Sequence, residues 1–306
     1  MEKGKGSFIK ANDGFKIFLR TWENVRDPKG IVQIFHGMAE HSGRYDDFAN
    51  FLNSKKYIVY ANDHRGHGLS LIENNVLGYV GKDGFNNIVM DEKIISDFIK
   101  EKYKDLPLYI FAHSFGSFIG QEYIIRYSKD IDGMILSGSA KQTGIELKAG
   151  RMLASVQYKY LDNKLPAKLL DKLSFSTYNS KVADKKTKFD WLTSDAKEVD
   201  KYINDSLSGY ISPIDFYYNM FKGFKELYKR DRLAQIRKTL PILILSGDKD
   251  PVGKYGKSIT KLYNLYYNLN IEKLTLKLYP NGRHELLNEI NKIEVYNYVY
   301  NWIKTA

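Results

Sequence analysis

Leu108-Tyr109-Ile110-Phe111-Ala112-His113-Ser114-Phe115-Gly116 is the stretch on which the fold of this chain turns. Its first five residues suit a strand buried on both faces, and they lead through a serine straight into residues 115–127, whose apolar spacing is helical. A strand, a sharp turn and a helix lift the serine Oγ clear of the sheet edge. The helix N-terminus behind it offers unpaired N–H groups and a positive dipole end for a developing oxyanion. Small residues on either side permit the tightness. The pattern is G-x-S-x-G with Ala112 in the first glycine position, one methyl more where strand and helix approach closely.

Short apolar or β-branched runs recur on both sides of this segment, at 31–35, 57–61, 134–137, 242–246 and 274–279. Stretches with helical spacing separate them at 45–53, 85–103, 255–269 and 290–303. That alternation predicts an α/β fold, a mostly parallel twisted sheet flanked by helices. At the start, 7–10 and 15–22 flank Asn12-Asp13-Gly14, a hairpin signal. The interval from 137 to 242 far exceeds the ~30 residues of an ordinary βαβ unit. A helical cap is therefore expected at 141–224, inserted into a core made of 1–140 and 225–306. Within it Ile145, Ala149, Met152, Leu153, Val156 and Tyr160 mark one helical face, while Lys148, Arg151 and Lys159 lie on another. An apolar face with Leu147, Met152, Leu153 and Val156 suits an acyl chain, or packs the cap on the core.

The 306 residues are 43% hydrophobic, enough for a substantial core. The absence of cysteine excludes disulfides, thiolate metal sites and a cysteine nucleophile. No apolar run approaches the ~20 residues needed to cross a bilayer. The start Met1-Glu2-Lys3-Gly4-Lys5-Gly6 lacks the apolar stretch of a secretion signal, so a soluble, cytoplasmic chain is expected. The net charge of +11 is concentrated: residues 141–188 hold eleven Lys and Arg against four Asp and Glu. No nucleic-acid-binding motif accompanies it. The excess reads as a solvated face, or as one drawn to anionic membrane surfaces and phosphate-bearing lysolipids through a basic, peripheral cap.

The run 31–35 ends in His36-Gly37-Met38, which places the Met38 N–H at the same C-terminal sheet edge as the serine. Together with the N–H of Phe115 it would make a two-donor oxyanion hole. Taken with Ala39-Glu40-His41-Ser42-Gly43-Arg44-Tyr45, Asp63-His64-Arg65-Gly66-His67-Gly68, Gly247-Asp248-Lys249-Asp250-Pro251-Val252-Gly253 and Arg283-His284-Glu285, the chain resembles the α/β-hydrolases of the monoacylglycerol lipase and lysophospholipase group, a serine aminopeptidase S33-like family. The match runs from about Phe15 to the C-terminus, and within the insertion Trp191 to Phe224 carries it. The resemblance implies an α/β-hydrolase fold with an inserted cap. It implies a serine ester hydrolase acting on monoacylglycerol, lysophospholipid or another lipid-like ester, with no cofactor or metal.

In this fold the triad partners follow in the order Ser, Asp or Glu, His, each on a loop after a strand. Of six histidines only His284 lies downstream of Ser114, so it is the candidate base. Asp248 and Asp250 both follow the run 242–246. Asp250 is preferred because Pro251 holds it out of the α region and it matches the family's acid position, which leaves Asp248 to cap the loop. His64 and His67 lack cysteine or acidic ligands at metal spacing and read as structural. His113 points into the substrate region or the core. Glu40 and Arg44 match family positions associated with the polar head of the substrate, or form an ion pair under the loop. An aminopeptidase or acyltransferase on the same fold, or a non-catalytic ligand-binding relative, are the competing readings. A proline-aminopeptidase relative would show a glycine-rich run where this chain has Met38-Ala39-Glu40.

Overall fold

The structure, a computed structural model, describes residues 3–72 and 76–306; Met1 and Glu2, part of the start read above as lacking an apolar leader, lie outside it. Among the described residues the strands are β1 (Lys5–Lys10), β2 (Lys16–Trp22), β3 (Gly30–Phe35), β4 (Tyr57–Asn62), β5 (Leu108–His113), β6 (Gly133–Ser137), β7 (Ile242–Gly247) and β8 (Leu274–Tyr279). They form one sheet in the order β1-β2-β4-β3-β5-β6-β7-β8. From β4 to β8 every neighbouring pair is parallel, while β2 runs antiparallel to both β1 and β4. The hairpin closes around Asn12-Asp13-Gly14, where Gly14 takes a left-handed φ of 87° that a side chain would resist.

Helices α1 (Asp46–Ser54), α2 (Gly84–Lys102) and α3 (Phe115–Tyr127) connect the first parallel strands, α9 (Lys257–Tyr267) connects β7 to β8, and α10 (Lys292–Thr305) follows β8. Strands β3, β4, β5, β6 and β7 are buried along their whole length. Both faces are covered, which is why these strands read as unbroken apolar runs. Alternation decides which face each residue serves: Ile110 and Ala112 pack with α2 and α3, Tyr109 and Phe111 with α1 and α10. Helix α9 begins at Lys257, not at 255 as the periodicity suggests. Lys254, Tyr255 and Gly256 hold successive φ values of 49°, 54° and 87°, and a left-handed run cannot start a right-handed helix.

Between β6 and β7 lie α4 (Ile145–Tyr160), α5 (Lys168–Phe175), α6 (Ala196–Asn204), α7 (Ile214–Glu226) and the short α8 (Arg230–Leu233). Most of the apolar face expected on α4 is turned the other way. Ile145 is 82% exposed and Met152 69%, and Val156 and Tyr160 also face solvent, whereas Ala154 is fully buried. The cause is close packing on α7: a methyl group on Gly150 would meet the Phe221 ring at 2.8 Å, so the small residues Gly150 and Ala154 take the contact. The wide apolar residues are left outside. Leu147 and Leu153 remain on the inner side, and they line a cavity of about 1280 Å³ between the inserted helices and the sheet edge.

Candidate active site

Ser114 sits between β5 and α3 with φ 52° and ψ −119°, a conformation a non-glycine residue holds only when its surroundings enforce it. Two glycines make the turn possible. A Cβ on Gly116 would lie 2.2 Å from the Phe35 carbonyl oxygen, so β3 can pass directly behind the serine only if that position is bare. The extra methyl of Ala112 is accommodated from the helix side. A Cβ on Gly120 would stand 3.0 Å from that of Ala112, so Gly120, one turn along α3, supplies the space that glycine would have left in the strand.

The structure brings Ser114, His284 and Asp250 together. His284 Nε2 is 2.8 Å from Ser114 Oγ, and His284 Nδ1 is 3.0 Å from Asp250 Oδ1. A carboxylate only accepts, so the neutral imidazole carries its proton on Nδ1 and Nε2 accepts the Ser114 hydroxyl. Asp250 is fixed in turn by the Val252 N–H, donating to Oδ1 at 2.9 Å. The acid and base loops meet through bare backbone, because a Cβ on Gly247 would lie 1.9 Å from the Gly282 carbonyl oxygen. Asp248 Oδ1 accepts the Asn281 N–H at 2.8 Å and ties the same two loops together, matching the loop-capping role read from the sequence.

Burial disfavours a charged imidazole at His284, but the charge and hydrogen bond of Asp250 outweigh it and hold this group above the ordinary histidine value. His113, whose ring centre is 4.9 Å from that of His284, moves the opposite way. Burial, then the neighbouring His284, push it down to about 4. One histidine is therefore poised to take a proton while its neighbour stays neutral.

Met38 follows Gly37, whose own N–H is taken by Glu40 Oε1 at 2.5 Å. The Met38 N–H meets no protein acceptor among the described residues. Phe115 opens α3, so its N–H has no helical carbonyl four residues back. Both residues line the large cavity together with Ser114 and His284. Next to the Gly37–Met38 turn lie the upstream histidines. His36 Nε2 accepts the His64 N–H at 2.8 Å, and His64 Nδ1 stands 2.8 Å from Glu92 Oε1. His67, buried beside them, is pushed down to about 3 by burial and the neighbouring His64. No group of three or more metal-ligating side chains occurs among the described residues.

Of the three residues expected at the substrate, Glu40 and His113 reach the cavity wall. Arg44 does not. Its guanidinium lies behind the wall, 2.6 Å from Glu40 Oε2 and bonded through both nitrogens to Glu285 at 2.8 and 2.7 Å. Two carboxylates hold it by three bonds, so the ion-pair alternative describes its place. Sequence reasoning missed Glu285 and Trp191. The Trp191 ring packs 5.0 Å from His284, and the carbonyl of Leu192 accepts the Glu285 N–H at 2.7 Å, joining the insertion to the base loop.

A family model described as serine aminopeptidase, S33, matches residues 26–291. The chain is 27% identical over 294 residues to a monoglyceride lipase of Mus musculus, covering 95% of this chain and 88% of that one. It is 27% identical over 293 residues to a monoacylglycerol lipase of Mycolicibacterium smegmatis, with 95% and 93% covered. A solved structure of a thermostable carboxyl esterase from Bacillus coagulans in complex with glycerol superposes with a TM-score of 0.90 at 26% identity, over 100% of this chain and 99% of that one.

Proposed function

The chain belongs to the serine aminopeptidase S33 family and is a hydrolase, and from that premise we propose that it cleaves monoacylglycerol, lysophospholipid or similar lipid-like esters through an acyl-enzyme on Ser114. The observation that carries this reading is the Ser114–His284–Asp250 relay standing at the wall of a large, mainly apolar cavity. Ser114 Oγ attacks the ester carbonyl as His284 takes its proton, and the N–H groups of Met38 and Phe115 hold the oxyanion. His284 then returns the proton to the leaving alcohol, and water releases the acid by the same steps in reverse roles. Nothing in this sequence of steps calls for a metal or cofactor.

Leu147, Leu153, Phe175, Met220 and Phe221 line the cavity, which exceeds the ~300–1,000 Å³ of common ligand sites. The apolar stretch of this wall suits an acyl chain. The names of the mouse and M. smegmatis relatives, and the glycerol bound by the B. coagulans esterase, support this substrate class. We read residues 141–224 as the cap over the site. Glu40 and His113 are proposed as wall residues on the side of the leaving alcohol. The test is labelling with a fluorophosphonate, location of the adduct by mass spectrometry, and hydrolysis of monoacylglycerols of graded length. An adduct on Ser114 and rates that rise with chain length are expected. Folded protein that resists labelling would favour a ligand-binding relative.

The outward face of α4 gives the cap a second proposed role, transient docking on anionic membranes. Ile145, Met152, Val156 and Tyr160 are exposed beside Leu161, Leu165, Leu169 and Leu173, with Lys148, Lys159, Lys168 and Lys172 exposed among them. Apolar side chains at an interface and about 1 kcal/mol per lysine near an anionic surface act together. Cosedimentation with phosphatidylserine vesicles should weaken with added salt and with Met152→Asp. Binding indifferent to both would remove the docking role and leave the esterase reading untouched. No helix among the described residues is long and apolar enough to cross a membrane.

A further inference from the structure

The two loops that must cooperate in the reaction leave strands far apart in the sheet. The oxyanion donor Met38 follows β3 and the base His284 follows β8, with β5, β6 and β7 between them. A single buried cation spans the gap. Arg44, on the short turn Ser42–Tyr45, bonds Glu285 through both of its terminal nitrogens and Glu40 through one. Its side chain is 11% exposed, against 6% and 4% for the two carboxylates. Each carboxylate reaches onward. Glu285 is the residue after His284, and Glu40 Oε1 takes the N–H of Gly37, the peptide just before the one that aims the Met38 N–H. Glu40 Oε1 also accepts the Tyr45 hydroxyl at 3.0 Å. The insertion closes the network: Tyr202 lies under the guanidinium at 4.7 Å, and its hydroxyl donates to the Ala39 carbonyl at 3.0 Å.

We infer that Glu285 is a positioning residue, which through Arg44 locks the loop of the base to the loop of the oxyanion donor. The inference rests on the triad reading above. An arginine in a dry site holds a carboxylate by two parallel bonds and so fixes its direction as well as its distance. Removing the Glu285 charge leaves Arg44 paired with Glu40 alone and cuts the two-bond tie to the loop of the base, so nothing in this network would then hold the two loops to each other. Glu285 also acts through space. Burial opposes its charge, but Arg44 overrides that and holds the carboxyl well below the ordinary carboxylate range, so it is ionised whenever the enzyme works. Asp250 from the loop after β7, Glu40 from the loop after β3 and Glu285 beside it all favour the His284 imidazolium, with burial opposed to it; Arg44 and His113 are the further titratable groups in this cluster.

The experiment compares Glu285→Gln and Glu285→Asp with the wild-type chain, following ester hydrolysis across the acid limb of the pH profile. Glu285→Gln should lower kcat by about 10²-fold, the scale of a small misplacement of reacting groups, with KM within about threefold. Its acid-limb inflection should move to lower pH, since one charge favouring the imidazolium is gone. Glu285→Asp should return the inflection but not the full kcat, because its shorter side chain cannot meet both guanidinium nitrogens. Wild-type kcat with an unmoved inflection in Glu285→Gln would overturn the inference, and so would a loss confined to KM, which would make Glu285 a substrate contact. If Glu285→Gln shows no cooperative melting, full wild-type kcat in Glu285→Asp overturns it instead. Fluorophosphonate labelling separates the two levels: an unlabelled wild type sinks the triad reading, whereas a labelled wild type with unaffected variants sinks only the coupling.

Discussion

Ser114→Ala should lower kcat on a p-nitrophenyl ester by about 10⁶-fold, the scale seen when a serine nucleophile is removed from a relay of this kind. The size of the effect follows from the absence of a substitute. Ser117 and Ser139 carry hydroxyls close to Ser114, but both are buried and bonded to each other, and Ser117 also donates to the Ser114 carbonyl at 2.6 Å. Neither faces the imidazole. What survives in the variant is binding and the pair of N–H donors, worth about 10³- to 10⁴-fold over water. Stability should change little, by about 1 kcal/mol or less, because the hydroxyl has one protein partner, His284, and borders the open cavity. A melting curve beside the kinetic assay separates loss of the nucleophile from loss of the fold. A variant that kept even one part in a hundred of the activity would put the nucleophile elsewhere.

The parts of this molecule that could be read in the sequence are those where one local rule decides the outcome. A strand covered on both faces must be apolar throughout, so Leu108–His113 and Ile242–Gly247 declare themselves, and α3 begins at the residue after the serine because the sharp turn leaves no other place for it. Helix α4 was legible as a helix and not as a packed object. Periodicity reports that a stripe is apolar, but it cannot say which of two apolar stripes meets the protein when the neighbouring helix comes close enough to demand glycine and alanine. The spacing of Gly150 and Ala154 was the available signal, four residues apart as in close helix contacts. The pairing of Arg44 with Glu285 had no local signal, since 241 residues separate them and only the folded sheet brings their loops together.

Asp250→Asn should lower kcat by about 10⁴-fold, as the same exchange does in the serine proteases, and should also displace the pH profile. The two effects have separate causes. An amide can present its NH2 group to His284 Nδ1, which favours the tautomer protonated on Nε2, and that nitrogen can then no longer accept the Ser114 hydroxyl. This is a loss of the correct form at every pH. The displacement comes from charge. His284 works as a base only when neutral, so kcat/KM falls as pH drops through its pKa, which in the native enzyme lies above the ordinary 6.5 because Asp250 outweighs burial. With the carboxylate gone burial acts with weaker opposition, and the inflection should move downward, below that of Glu285→Gln, whose lost charge ranks behind that of Asp250 in its hold on the imidazole. Profiles of the three proteins on one ester test the ranking. Coincident inflections for the native chain and Asp250→Asn would mean that the carboxylate orients the imidazole without governing its charge.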